Sequence, residues 1–221
     1  MLLASCLDSG VDLDGYGDAY ILVSSDGKDS LAGLGLHAFS YSEFASVKVT
    51  VHGNAELEYN LEPYLGYKQD FIWLTPKAEY SNTIPATGDY VFTATFADGQ
   101  TMTFFDKLTN EVILPPKIVH CDYAEAQERV EVEWELVPGA GYYNVKLLNG
   151  EGELLFVSPA YNSMTNNYAF SQSSQGWLSS VLPLGGDTVS VEVAAYLLEP
   201  QSSMDYLQCI SRTACELVWP D

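Results

Sequence analysis

Aromatic rings set in polar surroundings are the residues of this chain best suited to recognition chemistry. Trp177 ends the run Ser173-Ser174-Gln175-Gly176-Trp177, and Tyr161 and Tyr168 flank the polar stretch Asn162 to Asn167. A polar, glycine-bearing context places a ring at or near a loop. There it presents a flat amphipathic face that stacks on a sugar or anchors a protein partner. Trp177, Tyr161 and Tyr168 are therefore the expected ligand-binding group. The same tryptophan also fits a plainer role, plugging the end of a β-sandwich. Trp134 and Trp219 lie in strand-like runs and are expected in the core, as is Trp73 within Phe71-Ile72-Trp73-Leu74.

Oxygen-rich turns are the next candidates. Asp12-Leu13-Asp14-Gly15-Tyr16-Gly17-Asp18 has carboxylates around two glycines, the composition of a calcium loop. An EF-hand needs a third oxygen ligand before its glycine and a bidentate glutamate at position twelve, where this chain has Val23. Asp12, Asp14 and Asp18 are thus a weak metal expectation, and a solvated acidic tether is preferred. No other cofactor is expected. His37, His52 and His120 are too far apart in sequence to pair as ligands on one strand or helix. His120 beside Cys121 invites a nucleophile–base reading, but neighbours on a strand face opposite ways. There is no G-x-S-x-G elbow, H-E-x-x-H or P-loop, so no catalytic residue is expected.

The 221 residues suit one large domain or two of about 100 residues each. Nine basic against thirty acidic residues give a formal charge of −21. Such a field repels phosphate backbones and anionic lipid surfaces, which argues against nucleic acid as a partner. No stretch approaches the length of a spanning helix. Setting Cys6 aside, Cys121, Cys209 and Cys215 remain without zinc spacing. Two of them can form a disulfide outside the cytoplasm, and the sequence does not say which two.

The hydrophobic pattern has period two. Val47, Val49 and Val51 alternate with Lys48, Thr50 and His52; Leu57, Tyr59 and Leu61 alternate with polar residues. So do Val130, Val132, Trp134 and Leu136, and Val189, Val191 and Val193. Each run has one buried and one wet face. Asp98-Gly99 predicts a hairpin between Tyr90–Phe96 and Met102–Phe105, and Asn149-Gly150 a second tight connection. The expected fold is all-β: two tandem β-sandwiches after a short acidic tether. The tandem prolines of Leu114-Pro115-Pro116-Lys117 are the expected joint, giving a tether over 1–15, one sandwich over 16–114 and another over 117–221.

Two resemblances refine this picture. Leu3-Ala4-Ser5-Cys6 resembles the lipobox of bacterial lipoproteins, which implies lipid on the Cys6 thiol and a cell-envelope location, at an outer membrane or cell surface. Membrane contact is then expected only through that anchor. Val130-Glu131-Val132-Glu133-Trp134 with Pro138-Gly139-Ala140-Gly141-Tyr142-Tyr143-Asn144-Val145 resembles strands B and C of a fibronectin type III domain. The resemblance implies a core role for Trp134. The family's tyrosine before strand F is missing, since Leu182-Pro183-Leu184-Gly185-Gly186-Asp187 runs straight into Thr188. The first sandwich resembles secreted immunoglobulin-like domains only at its end, where Gly88-Asp89-Tyr90 leads into a hairpin.

The expected function is a non-catalytic, monomeric lipoprotein presenting binding or adhesion modules to an extracellular glycan or protein. A carbohydrate-binding accessory of a glycan-uptake system and a structural subunit of a surface assembly are the alternatives.

Overall fold

The computed structural model describes residues 14–25, 29–178, 182–200 and 206–220; apart from two 3-10 turns, every regular element among them is a strand. The earlier strands are β1 (Tyr16–Ser25), β2 (Ser30–Phe39), β3 (Phe44–Val51), β4 (Asn54–Tyr64), β5 (Tyr67–Leu74), β6 (Gly88–Phe96) and β7 (Thr101–Leu108). They are followed by β8 (Ile118–Ala124), β9 (Arg129–Trp134), β10 (Tyr142–Leu148), β11 (Leu154–Val157), β12 (Tyr161–Asn162), β13 (Asn167–Phe170), β14 (Thr188–Leu198) and β15 (Leu207–Val218). The all-β sandwich expectation holds.

Contacts divide the described chain into two units, but not at Leu114–Lys117. One unit comprises residues 14–18, Leu36–Trp73 and Gly88–Lys107; the other takes Ala19–Gly35, Leu74–Thr87 and everything from Leu108 onward. Pro115 and Pro116 lie inside the second unit, and β1 and β2 each contribute to both. The cause is backbone pairing that sequence order does not foretell. Ile21 to Ser24 run parallel to Cys209 to Arg212, and Ala32 exchanges two hydrogen bonds with Ser81, at 2.7 and 3.0 Å. The segment after β7 is held by one buried side chain. The Gln208 amide donates to the carbonyls of Thr109 and Glu111, and its oxygen accepts from the Thr109 hydroxyl at 2.8 Å.

In the first unit β3 lies between β4 and β6, with Val47 opposite Leu61 and Ala94, and Val49 opposite Tyr59 and Phe92. Val47, Val49 and Val51 are buried, whereas Lys48 points outward and pairs with Glu58 at 2.7 Å. Phe44 gathers Phe71, Phe96 and Phe104 around it at centroid distances of 5.5, 5.1 and 6.5 Å. The Asp98-Gly99 hairpin forms as expected, with Gly99 at φ 87°. Phe96 N–H donates across it to the Gln100 carbonyl at 2.8 Å.

The second unit sets the sheet β13-β9-β8 against the run β11-β10-β14-β15, a fibronectin type III-like sandwich order. Val130, Val132 and Trp134 from one sheet and Val189, Val191 and Val193 from the other are all buried. The alternation stops there: Leu136 lies beyond β9 and is exposed. Trp134 packs 5.5 Å from Tyr143, whose hydroxyl accepts a 2.6 Å hydrogen bond from the Val137 N–H. Where the family places its tyrosine, this chain uses backbone and Asp187. Leu184 N–H donates to the Asp187 carboxylate, Gly186 N–H to the Trp219 carbonyl, and Trp219 N–H back to the Asp187 carbonyl, each at 2.8 Å. At the β10–β11 connection Asn149 Oδ1 accepts the N–H groups of Glu151 and Glu153, but Gly152, not Gly150, holds the positive φ.

Rings also pack flat on β2. A Cβ on Gly35 would lie 2.2 Å from the Tyr20 ring, so no larger residue fits there without displacing it. Tyr20, Leu22 and Tyr80 form a small core with Leu31, Leu207 and Ile210, and the Arg212 guanidinium donates to the Tyr80 hydroxyl at 2.8 Å.

A disulfide joins Cys121 on β8 to Cys215 on β15 across 94 residues. Cys209 is free and buried, and burial pushes its thiol up to about 11. Replacing both Cys121 and Cys215 by serine should cost about 4–5 kcal/mol through the released loop, read as a lower urea midpoint. Tyr143→Phe should cost about 1–3 kcal/mol, because the Val137 N–H loses its partner inside the fold; retention of wild-type stability would refute that role.

Candidate binding surface

The polar loop after β12 is an Asx turn. Asn162 Oδ1 accepts the Met164 N–H at 3.0 Å and its carbonyl accepts the Thr165 N–H at 3.0 Å. This reverses the chain so that β12 pairs with β10, Tyr161 opposite Tyr143, while β13 pairs with β9, Tyr168 opposite Val132. The turn thereby brings Tyr161 and Tyr168 together, ring centroids 5.0 Å apart.

Trp177 arrives from a second polar loop. Ser171 N–H donates to the Ser174 hydroxyl and Ser174 N–H returns to the Ser171 carbonyl. Gly176, at φ 118°, then slides under β11, where any Cβ would sit 2.1 Å from the Val157 carbonyl. Val157 N–H donates to Gly176 and Leu178 N–H to Leu155, which fixes Trp177 opposite Phe156.

The three expected ring residues thus join one aromatic ladder. Tyr161 meets Tyr168, Tyr168 stacks toward Phe156 at 6.4 Å, and Phe156 stacks on Phe170 at 4.4 Å. Trp177 stands edge-on to Phe156 at 5.3 Å and to Trp219 at 6.1 Å. Phe156, Phe170 and Trp219 are buried; Tyr161, Tyr168 and Trp177 are half-buried. Trp177 is in part the plug considered from sequence, since its indole N–H is satisfied within the loop by the Ser171 carbonyl at 3.1 Å. Burial raises the Tyr168 hydroxyl well above the ordinary tyrosine range, helped by its hydrogen bond and proximity to Tyr161.

Sequence reading did not include the neighbouring hollow. Asp122, Glu125 and Glu128 stand around an open depression of about 1240 Å³ that Tyr123 and Trp219 also line. The signal in the sequence was the acidic run 122–128 beside a tyrosine, but its partner Trp219 lies some ninety residues on.

Other expected groups are placed differently. Cys6 and Asp12 lie outside the described residues. Asp14 is exposed and Asp18 is buried on β1; among the described residues no three His, Cys, Asp or Glu side chains gather as a metal site would require. His37 Nε2 lies 2.8 Å from Asp70 Oδ1, and His52 and His120 are exposed. The Cys121 sulfur is bonded to Cys215, so it forms no nucleophile with His120. Trp134 and Trp219 are core as expected, while Trp73 is half-buried, 4.6 Å from Tyr59.

No family model and no curated protein matches the chain. Among solved structures, a two-domain fibronectin type III segment of chicken tenascin is 12% identical, covering 94% of this chain and 97% of that one with a TM-score of 0.34. Dimeric latent PorU from Porphyromonas gingivalis is 10% identical over 91% of this chain and 20% of that one, at 0.31. At these scores the sandwich architecture stands on its own strand order and register.

A group held neutral by folding withdraws its stabilisation once the unfolded chain can ionise. Tyr168 has a folded pKa above its unfolded value of about 10, so the folded state binds more protons than the unfolded one above that pH. The Tyr168 contribution to stability is expected to be level up to about pH 10 and to fall beyond it. Tyr168→Phe should make the fall shallower in urea titrations across that range; an unchanged slope would contradict the assignment.

Proposed function

We propose that this chain is a non-catalytic, lipid-anchored protein of the bacterial cell envelope that presents its β-sandwiches as binding or adhesion modules. The observation that carries the proposal is the rim of Tyr161, Tyr168 and Trp177. Three separate segments deliver half-exposed rings to one lip of the second sandwich, backed by the buried pair Phe156 and Phe170. A rim so backed is pre-ordered, so little rotamer freedom is lost when a ligand lies on it. The Cys121–Cys215 bond fits an oxidising location outside the cytoplasm. The Leu3-Ala4-Ser5-Cys6 motif supplies the anchor, and the tether holds the sandwiches near the membrane at high local concentration.

The Tyr161–Tyr168 pair favours a glycan as the ligand of this rim. Two rings 5.0 Å apart offer adjoining faces to the apolar side of a sugar. The test is immobilised polysaccharides and extracellular matrix proteins presented to the full chain. Binding should weaken about tenfold for Tyr161→Ala and for Trp177→Ala, and fatty-acid labelling in a bacterial host should vanish for Cys6→Ser. Ligand binding indifferent to both ring substitutions would remove the rim from the mechanism.

A further inference from the structure

The β4–β5 hairpin closes on a two-residue loop, Leu65-Gly66, between the paired residues Tyr64 and Tyr67. Both loop residues hold positive φ, 51° at Leu65 and 82° at Gly66. Asparagine followed by glycine suits such a loop, whereas leucine meets its own backbone there. Leu65 is nevertheless 73% exposed, with Tyr67 at 64% and Tyr64 at 39%. Neither backbone preference nor burial accounts for a leucine at this point.

The tip has neighbours. Ser40 N–H donates to the Gln69 carbonyl at 3.0 Å and Lys68 reaches toward Glu43 at 3.9 Å, so the β2–β3 turn lies beside the start of β5. Tyr41 stands on that turn and is 84% exposed. The Ser40 hydroxyl also donates to the Asp14 carbonyl, so the chain enters the first unit at this same end. Asp14 follows Cys6 by eight residues, a span of at most about 29 Å when fully extended.

We propose that this end of the first unit, with Leu65 at its tip and Tyr41, Tyr64 and Tyr67 around it, docks into the zwitterionic interface of the membrane that holds the lipid on Cys6. The inference rests on the lipid-anchor reading for the membrane's presence. Tyrosines belong at the headgroup level, with an apolar side chain reaching just below. The leucine tip separates this surface from a sugar platform, which would need only ring faces. Charge selects the headgroup. Ala97 N–H donates to the Glu43 carbonyl at 2.9 Å, which brings the Asp98 hairpin to this end. Asp14, Glu43 and Asp98 thus stand at the same end as Lys68, so among these described residues acid outnumbers base, neutral lipid is tolerated and anionic lipid is repelled. The short tether keeps the tip at an effective concentration on the order of millimolar, so weak insertion suffices.

The test uses the full chain as Cys6→Ser, which carries no lipid, and sedimentation with phosphatidylcholine vesicles at about 5 mM lipid, the range the tether would set. The chain should co-sediment, and Leu65→Asn should lower the partition roughly tenfold, the loss expected from one leucine withdrawn from an apolar layer. Its melting temperature should be unchanged or higher, because asparagine suits the turn. Replacing a third of the lipid by phosphatidylglycerol should weaken binding further. No co-sedimentation, equal partition of Leu65→Asn, or tighter binding to the anionic vesicles each overturns the proposal. Because this chain lacks the anchor, such a failure leaves fatty-acid labelling of the wild type untouched, and loss of that label leaves the vesicle result standing.

Discussion

Strand β15 is paired along both edges, antiparallel with β14 and parallel with β1, and the second unit depends on it. Three further fastenings of that unit touch the same strand. Gln208 holds the segment after β7, Arg212 reaches Tyr80, and Cys215 is bonded to Cys121 on the opposite sheet. Buried Cys209 packs between these points. A single strand can do so much because its side chains alternate faces, and here each face meets a different neighbour.

What could be read from the sequence was local. The valine runs gave their burial correctly, because period two needs no knowledge of the partner. Val130 through Trp134 and Pro138 through Val145 located the core of the fibronectin type III-like sandwich, since alternate side chains there point inward whatever lies outside them. The pairing of Ile21 with Cys209 joins residues almost the whole chain apart, and no periodicity encodes it. For the same reason the double proline drew attention as a joint, although the Gln208 amide binds the preceding residues to the second unit. Leu136 continued the alternating pattern in sequence but fell past the end of its ladder.

The candidate rim was half legible. Polar context placed Tyr161, Tyr168 and Trp177 near loops, and the Asx turn at Asn162 and the glycine at Gly176 are the devices that put them there. Their shared backing by Phe156 and Phe170 was not, because β11 and β13 belong to different sheets. The Leu65-Gly66 tip escaped notice because leucine is a poor turn signal, which is also what makes it informative once its backbone angle is known.

The parallel register of β1 on β15 gives the molecule a direction of strength. Tension applied between the beginning and the end of the chain pulls β1 toward its start and β15 toward its finish, so the rungs from Ile21–Cys209 to Ser24–Arg212 are loaded together in shear rather than peeled one at a time. The Cys121–Cys215 bond, at a sequence separation of 94, removes the chain between its ends from any extension. A sandwich stitched in this way yields little length under load.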